Sequence, residues 1–287
     1  MMMTLDDIQA NQDTRGLPLK EVGVKRVRVP VYLQKKSLSG STPTLETLLI
    51  HGGEVSLSVS LPAHEKGTHL SRFMILLEQW REKAQPLNAQ LPLCGTELLQ
   101  ALQASSGVIR FQVPFPIERH SPVTQLASTL IQDIAVEAHV RSTPLGEVDI
   151  TKLALTLEVP CATLCPCSKA ISDYGAHNQR AVIRLKVVLN PHAPEAWEYL
   201  VAPQSLIEGL ESQASCAVYP ILKRLDEKWV TERQYTNAKF VEDVLRDCIL
   251  WTRHTLAPHS HGFSLEVEAL ESIHAHNAWC YHEEGIL

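Results

Sequence analysis

The chain has 287 residues, 45% of them hydrophobic and 20% charged, the composition of an ordinary soluble globular protein with enough chain to bury a sizeable core. Acidic residues outnumber basic ones by 32 to 26, and the formal charge of −6 argues against a broad nucleic-acid-binding surface while leaving room for a local basic pocket around a phosphorylated ligand. No run approaches the ~18 consecutive apolar residues of a membrane span, and residues 1–7 lack the basic and apolar regions of a secretory signal, so the expectation is a cytoplasmic protein whose seven cysteines are reduced thiols.

Residues 1–20 are polar and expected to be flexible. Residues 23–33 read as a strand rich in β-branched side chains. Residues 44–61 read as one long extended segment, in which Val55, Leu57, Val59 and Leu61 alternate with Ser56, Ser58 and Ser60. The period then changes: Leu70, Phe73, Met74, Leu76, Leu77 and Trp80 share one face of a helix over 68–83. A second helix is expected over 96–104, closed by Gly107. Strands follow at 108–117, with Pro114 and Pro116 marking an edge or a bulge, at 131–141 and at 148–159. The second half partly repeats this order: a strand at 181–189, a helix at 203–222, an amphipathic helix at 240–251 and a strand at 263–270. The expected class is α+β, with antiparallel sheets and helix pairs on one face, in two similar halves.

Chemistry concentrates between Cys161 and Arg180. Cys165-Pro166-Cys167-Ser168-Lys169 precedes Tyr174-Gly175-Ala176-His177-Asn178. If the stretch is extended, Cys165 and Cys167 share a face. Gly175 would let the loop turn back and bring a thiolate to an imidazole, a pairing that suits zinc or iron. The alternative is that these cysteines are buried small hydrophobes. Among the 13 histidines, His274 and His276 are two apart after the last strand and could add one or two donors to the same centre. Asp226-Glu227-Lys228 reads as a solvated charged turn ending the preceding helix, and Glu242 as an exposed carboxylate paired with Arg246. A buried Glu242 would instead hold a guanidine-like edge through two hydrogen bonds, a way to recognise guanine. Lys66, Thr68, His69, Ser71 and Arg72 sit where a helix begins. That end could hold phosphate, or be an ordinary helix start capped by Thr68. No Walker or dinucleotide glycine fingerprint is present.

Five blocks, Lys66-Gly67-Thr68-His69-Leu70-Ser71-Arg72-Phe73, Leu164-Cys165-Pro166-Cys167-Ser168-Lys169, Tyr174-Gly175-Ala176-His177-Asn178-Gln179-Arg180, Lys239-Phe240-Val241-Glu242-Asp243 and Glu271-Ser272-Ile273-His274, occur in this order. Together they closely resemble the type IB GTP cyclohydrolases, over nearly the whole chain. The resemblance implies a tunnelling fold of antiparallel sheets with paired helices on the outer face. It also implies two tandem modules, near 21–160 and 161–287 within a domain of 21–287, and a homotetramer with active sites at subunit interfaces. It implies metal-dependent hydrolysis of GTP at guanine C8 that releases formate and gives 7,8-dihydroneopterin triphosphate, the first step of tetrahydrofolate biosynthesis. The implied cofactor is a divalent metal (zinc, manganese or iron(II)) held by Cys165, His177, Glu227 and His274. Cys165, His177 and Cys167 are the implied catalytic residues. Glu242 would anchor guanine, and Lys66, His69, Ser71 and Arg72 would contact the triphosphate. GTP and water are the implied partners, with neither nucleic acid nor membrane. Two alternatives stay open: an enzyme of the same fold acting on another purine or pterin, and a non-enzymatic metal-binding protein, for which Glu242 and the segment from Lys66 would have no function.

Overall fold

The computed structural model describes Gln9, residues 11–37 and residues 44–287; the expectation for residues 1–7, and part of that for 1–20, lies outside the described residues. The elements run β1 (Leu19–Arg28), β2 (Val31–Ser37), β3 (Thr44–Ile50), β4 (Glu54–Leu61), α1 (Leu70–Glu82), α2 (Leu91–Leu102), β5 (Ser106–His120), β6 (Ala127–Ser142), β7 (Val148–Leu164), α3 (Pro166–Ile171), β8 (Asn178–Leu189), α4 (Pro194–Val201), α5 (Gln204–Glu211), β9 (Cys216–Ala217), α6 (Arg224–Thr236), α7 (Val241–Leu256), a 3-10 turn (Ala257–His259), β10 (Ser260–Ala269) and β11 (Ala278–Gly285). This is the α+β class, and the chain forms two compact units. One comprises Met1–Val113 and Ala135–Leu153, the other Pro114–Ile134 and Ala154–Leu287, so β5, β6 and β7 contribute residues to both.

In the first unit the strand order is β1-β4-β5-β6-β7, and β2 with β3 forms a separate antiparallel hairpin. Two expected single strands are each two. Pro30 has no N–H to donate, so β1 ends at Arg28 and β2 begins in the other sheet. The segment 44–61 turns at Gly52, whose φ of +87° is left-handed, and continues as β4. In β4, Val55, Leu57, Val59 and Leu61 are buried, as their alternation predicts. Helix α1 buries Phe73, Leu76, Leu77 and Trp80 but starts at Leu70. Its N-cap is His69, with no side-chain cap bond, whereas Thr68 is buried before it. Helix α2 begins at Leu91, earlier than expected, because Pro92 suits a first turn. It ends at Leu102 with Gln103 left-handed, φ 54°, and Gly107 lies inside β5 instead of closing the helix. The β4–β5 register ends at Glu54 with Gln112, so Pro114 and Pro116 fall beyond it, where no β4 carbonyl awaits an N–H.

In the second unit the order is β5-β6-β7-β8-β10-β11, with the short β9 added to β7. Strand β10 pairs antiparallel with β8 and with β11, a strand the sequence reading did not identify. Helix α7 buries Val241, Val244, Leu245 and Cys248 of the expected stripe and adds Thr252 and Leu256, whereas Phe240, expected in that stripe, precedes the helix and is exposed, and Ile249 is half-buried. The helix expected over 203–222 stops at Glu211, because the chain must turn to lay Cys216 and Ala217 against Ala162 and Cys161. Glu211 is bonded to Arg119 at 2.7 Å with both side chains buried. Burial pushes its carboxyl up to about 7, against the pull of the guanidinium. The charged run at Asp226 is no solvated turn. It is the first turn of α6, and Asp226 is fully buried.

Gly209 lets α5 lie against α7: a Cβ there would stand 2.0 Å from the Trp251 ring. Gly209→Ala adds helix propensity worth up to ~1 kcal/mol, yet forces the indole out of place. The expected net loss is about 1–3 kcal/mol, read as a lowered Tm. An unchanged or raised Tm would show that Trp251 repacks freely.

Candidate functional site

Strand β7 runs to Leu164, past the expected end at Val159, and delivers Cys165 to the end of the strand. Pro166 presets the first turn of α3, so the segment is not extended. Cys165 becomes the N-cap of α3, and its Sγ accepts the Ser168 N–H at 3.4 Å. Cys167 is carried onto the exposed surface of α3 and does not share a face with Cys165. The chain then turns back through Gly175, φ +121°. The Cys165 N–H donates to the His177 carbonyl at 3.1 Å. Ser168 Oγ donates to the Cys165 carbonyl at 3.1 Å and accepts the His177 N–H at 3.2 Å. The expected meeting of thiol and imidazole segments is therefore built from backbone bonds.

Lys239 pins the entry to α7. Its N–H donates to the Leu164 carbonyl at 3.1 Å, and its Nζ to the Gln213 carbonyl at 2.6 Å and to Asp247 Oδ2 at 2.8 Å. Glu242 stands exposed in the first turn of α7. It is not paired with Arg246, whose Nη1 donates instead to Oδ1 of the next residue, Asp243, at 3.3 Å. Among the described residues Glu242 has no hydrogen-bonded or ionic partner, so both carboxylate oxygens are available. His274 and His276, in the loop after β10, stack with ring centroids 5.3 Å apart and an interplanar angle of 18°.

These pieces line one cavity of about 280 Å³, whose walls include Cys165, His177, Glu242 and His274 together with Gln179, Lys239, Phe240, Glu271 and His276. Glu227, exposed in the first turn of α6, and Cys167 do not line it. Lys66, His69, Ser71 and Arg72 belong to the first unit and do not line it either. Arg72 Nη1 instead donates to the Ala101 carbonyl at 3.3 Å. Among the described residues no three His, Cys, Asp or Glu side chains are gathered closely enough to hold a metal ion. The donor types along the cavity (one thiol, three imidazoles and two carboxylates) do fit the chemistry of zinc, iron(II) or manganese. Cys161, Cys216 and Cys248 are a different kind of thiol: burial pushes Cys216 up to about 11, Cys248 up to about 12 and Cys161 well above the usual range, so they serve as small hydrophobes. All seven cysteines are free.

Gln179, Lys239 and Glu271 carry no role in the sequence analysis, whereas His276, named there as a candidate donor beside His274, does line the cavity. Gln179 was legible, since it lies two residues from His177 at the start of a strand and so shares its face. Glu271 was quoted within its block without a role.

A family model described as type I GTP cyclohydrolase folE2 matches residues 5–280. The chain belongs to the type I GTP cyclohydrolase FolE2 family. Its activity is that of a GTP cyclohydrolase, a hydrolase acting on cyclic amidines. It is similar to GTP cyclohydrolase FolE2 of Ralstonia nicotianae, 40% identical over 276 residues that cover 96% of this chain and 92% of the relative. It is also similar to GTP cyclohydrolase FolE2 of Neisseria meningitidis serogroup C, 36% identical over 281 residues covering 98% and 85%. Among solved structures it is similar to urate oxidase from Bacillus sp. TB-90, with a TM-score of 0.51 at 9% identity, covering 93% of this chain and all of that one; at that identity the likeness shows the fold alone. The resemblance read from the five blocks thus holds at the level of type I GTP cyclohydrolase. No helix among the described residues is long and apolar enough to cross a membrane.

Proposed function

We propose that this FolE2 family member is a type IB enzyme of the tunnelling fold, cytoplasmic and homotetrameric, with two modules per chain. It converts GTP and water to formate and 7,8-dihydroneopterin triphosphate at the start of tetrahydrofolate biosynthesis. The observation that carries the reading is the single cavity onto which Cys165, His177, Glu242 and His274 converge from four segments of the chain. Cys165 and His274 would hold a divalent metal, zinc, manganese or iron(II), with His177 serving the same centre as ligand or proton donor and Glu227, which stands outside this chain's cavity, completing the set. When bound, such an ion supplies Lewis acidity and an acidified water at neutral pH.

The chain's own residues do the rest. Glu242 accepts two N–H bonds from the pyrimidine edge of guanine, which fixes the purine and places C8 toward the thiol and imidazole side. In its proton-donor role, in place of that of a ligand, His177 would deliver a proton to the imidazole-ring nitrogen that leaves as the ring opens. Cys167, on the exposed surface of α3 two residues after Cys165, would be the second thiol of the site. Lys66, His69, Ser71 and Arg72 hold the triphosphate through positive charge and hydrogen bonds. Active sites at subunit interfaces provide for the groups that a single chain's cavity lacks. Holding the purine through successive steps lets ring opening, ribose rearrangement and reclosure occur on one bound molecule.

The test strips the protein of metal, then adds GTP with zinc, manganese or iron(II) in turn and follows formate and the fluorescence of the oxidised pterin. Both signals are expected only with metal. Formate without pterin would mean ring opening without reclosure, and GTP binding with neither signal would point to a purine-binding relative. In the same assay Glu242→Ala removes two charge-assisted hydrogen bonds of ~1.5–3 kcal/mol each, so KM is expected to rise on the order of 100-fold with a smaller change in kcat. An unchanged KM would remove Glu242 from the guanine site.

A further inference from the structure

We infer that Gln179, itself held by Glu271, fixes His177 in the tautomer that carries its proton on Nδ1 and leaves the Nε2 lone pair free. Gln179 follows His177 by two residues, on the same face at the start of β8. Its Oε1 lies 3.1 Å from His177 Nδ1, and its Nε2 lies 3.2 Å from Glu271 Oε1. The direction of the chain follows from donor chemistry. A carboxylate only accepts, so the nitrogen end of the amide must face Glu271. The amide oxygen, which also only accepts, is then left facing Nδ1, and Nδ1 must donate. The reversed amide would set its oxygen against a carboxylate oxygen. Ser272 Oγ, 3.4 Å from the same ring nitrogen, serves either tautomer and does not decide between them.

The inference rests on the proposed metal-holding role of His177, because a ligand nitrogen needs its lone pair free and that is the state in which Nδ1–H leaves Nε2. Gln179 and Glu271 act through His177 and are positioning residues. Glu271 contributes by choosing the amide's orientation: without an acceptor on its far side, Gln179 could flip and offer Nδ1 a donor instead of an acceptor.

The tautomer measurement needs neither GTP nor metal. Histidine is labelled with nitrogen-15 in the full-length, metal-free protein, and the ring tautomers are read by long-range proton–nitrogen correlation at a pH where imidazole is neutral. The His177 signals are identified by their loss in His177→Gln. The native protein is expected to show Nδ1–H at His177. In Gln179→Leu this preference should give way to a majority of Nε2–H, the form a free histidine side chain prefers. Glu271→Ala, in an exposed loop, should move the population in the same direction, and it carries the test if Gln179→Leu does not fold. Zinc affinity, measured by chelator competition, should fall ~10–100-fold in Gln179→Leu, the usual effect of losing a partner that orients a ligand. Nε2–H at His177 in the native protein, or a tautomer that neither variant changes, would overturn the inference. A purely structural role would lower Tm and leave the tautomer as it was. Failure here leaves the GTP assay untouched, and failure of that assay leaves the tautomer result standing.

Discussion

Cys165→Ala is expected to lower formate release from GTP by roughly 10³-fold or more and to abolish stoichiometric zinc binding, with little change in Tm. The side chain is half-exposed on the wall of the cavity, so removing it opens no void in the core. The local fold is kept by groups the substitution spares: the Cys165 N–H on the His177 carbonyl, and Ser168 Oγ bridging the Cys165 carbonyl and the His177 N–H. What disappears is the one soft donor on the cavity wall. Cys165→Ser should rescue little, because an alcohol is a far poorer ligand for a borderline-soft ion. Cys161→Ala, four residues earlier, is the contrasting control. That thiol is fully buried, so its loss should lower stability and spare turnover per folded molecule. Formate release at the native rate from Cys165→Ala would remove the thiol from the catalytic centre.

Asp226→Ala should lower Tm at neutral pH on the order of 10 °C. The carboxylate is fully buried at the start of α6 and is hydrogen-bonded on both oxygens. Oδ1 accepts the Val123 and Thr124 N–H groups at 2.8 and 2.9 Å, and Oδ2 accepts the Thr124 hydroxyl at 2.6 Å and the Lys223 N–H at 2.9 Å. Alanine would leave those donors buried without an acceptor, and the acidic residue that complements the helix start would be gone. Burial by itself would raise the carboxyl's pKa, but the bonds from Thr124, Lys223 and Val123 outweigh it and hold the group well below the usual carboxylate range. The stabilisation is therefore fully present above the ordinary value of 3.8 and is lost as pH falls below that value through the depressed one. Thermal melts from pH 7 down to pH 2 should show the native protein losing Tm steeply below about pH 4. Asp226→Asn, lower at pH 7, should follow a flatter limb and converge on the native curve. Other carboxylates contribute to the acid limb, among them Glu137, whose bonds to His139 and Arg110 outweigh burial and hold it at about 2; the difference between the two curves isolates Asp226. Parallel curves would mean that Asp226 is not ionised in the folded protein.

What could be read from the sequence was local or contiguous. The serine–apolar alternation of β4 and the apolar stripe of α7 are periodicities repeated over one element; burial bears out the first at every apolar position and the second at Val241, Val244, Leu245 and Cys248. The five blocks identify the family because their residue types and order survive without any knowledge of the fold. The turn at Gly175 was legible because glycine alone adopts that backbone conformation cheaply.

The remaining features depend on partners far away in the chain. Asp226 looked like part of a solvated charged turn because its acceptors' donors lie 102 and 103 residues earlier, in the loop before β6. Helix α6 was missed with it, since its exposed, mostly polar sequence carries little periodic signal. The helix expected to run through 203–222 was cut short by the pairing of Cys216 and Ala217 with β7, a tertiary demand that overrides local propensity. Along the cavity, Cys165, His177 and Glu242 could each be named from the blocks, but Glu271 reaches Gln179 across 92 residues. By itself the sequence determined the family and the class of fold, because those reside in residue identity and short-range pattern. Only the tertiary structure decided which carboxylate is buried, which cysteine faces the cavity and which side chains meet His177, because burial and hydrogen-bond partners are set by groups that meet only once the chain has folded.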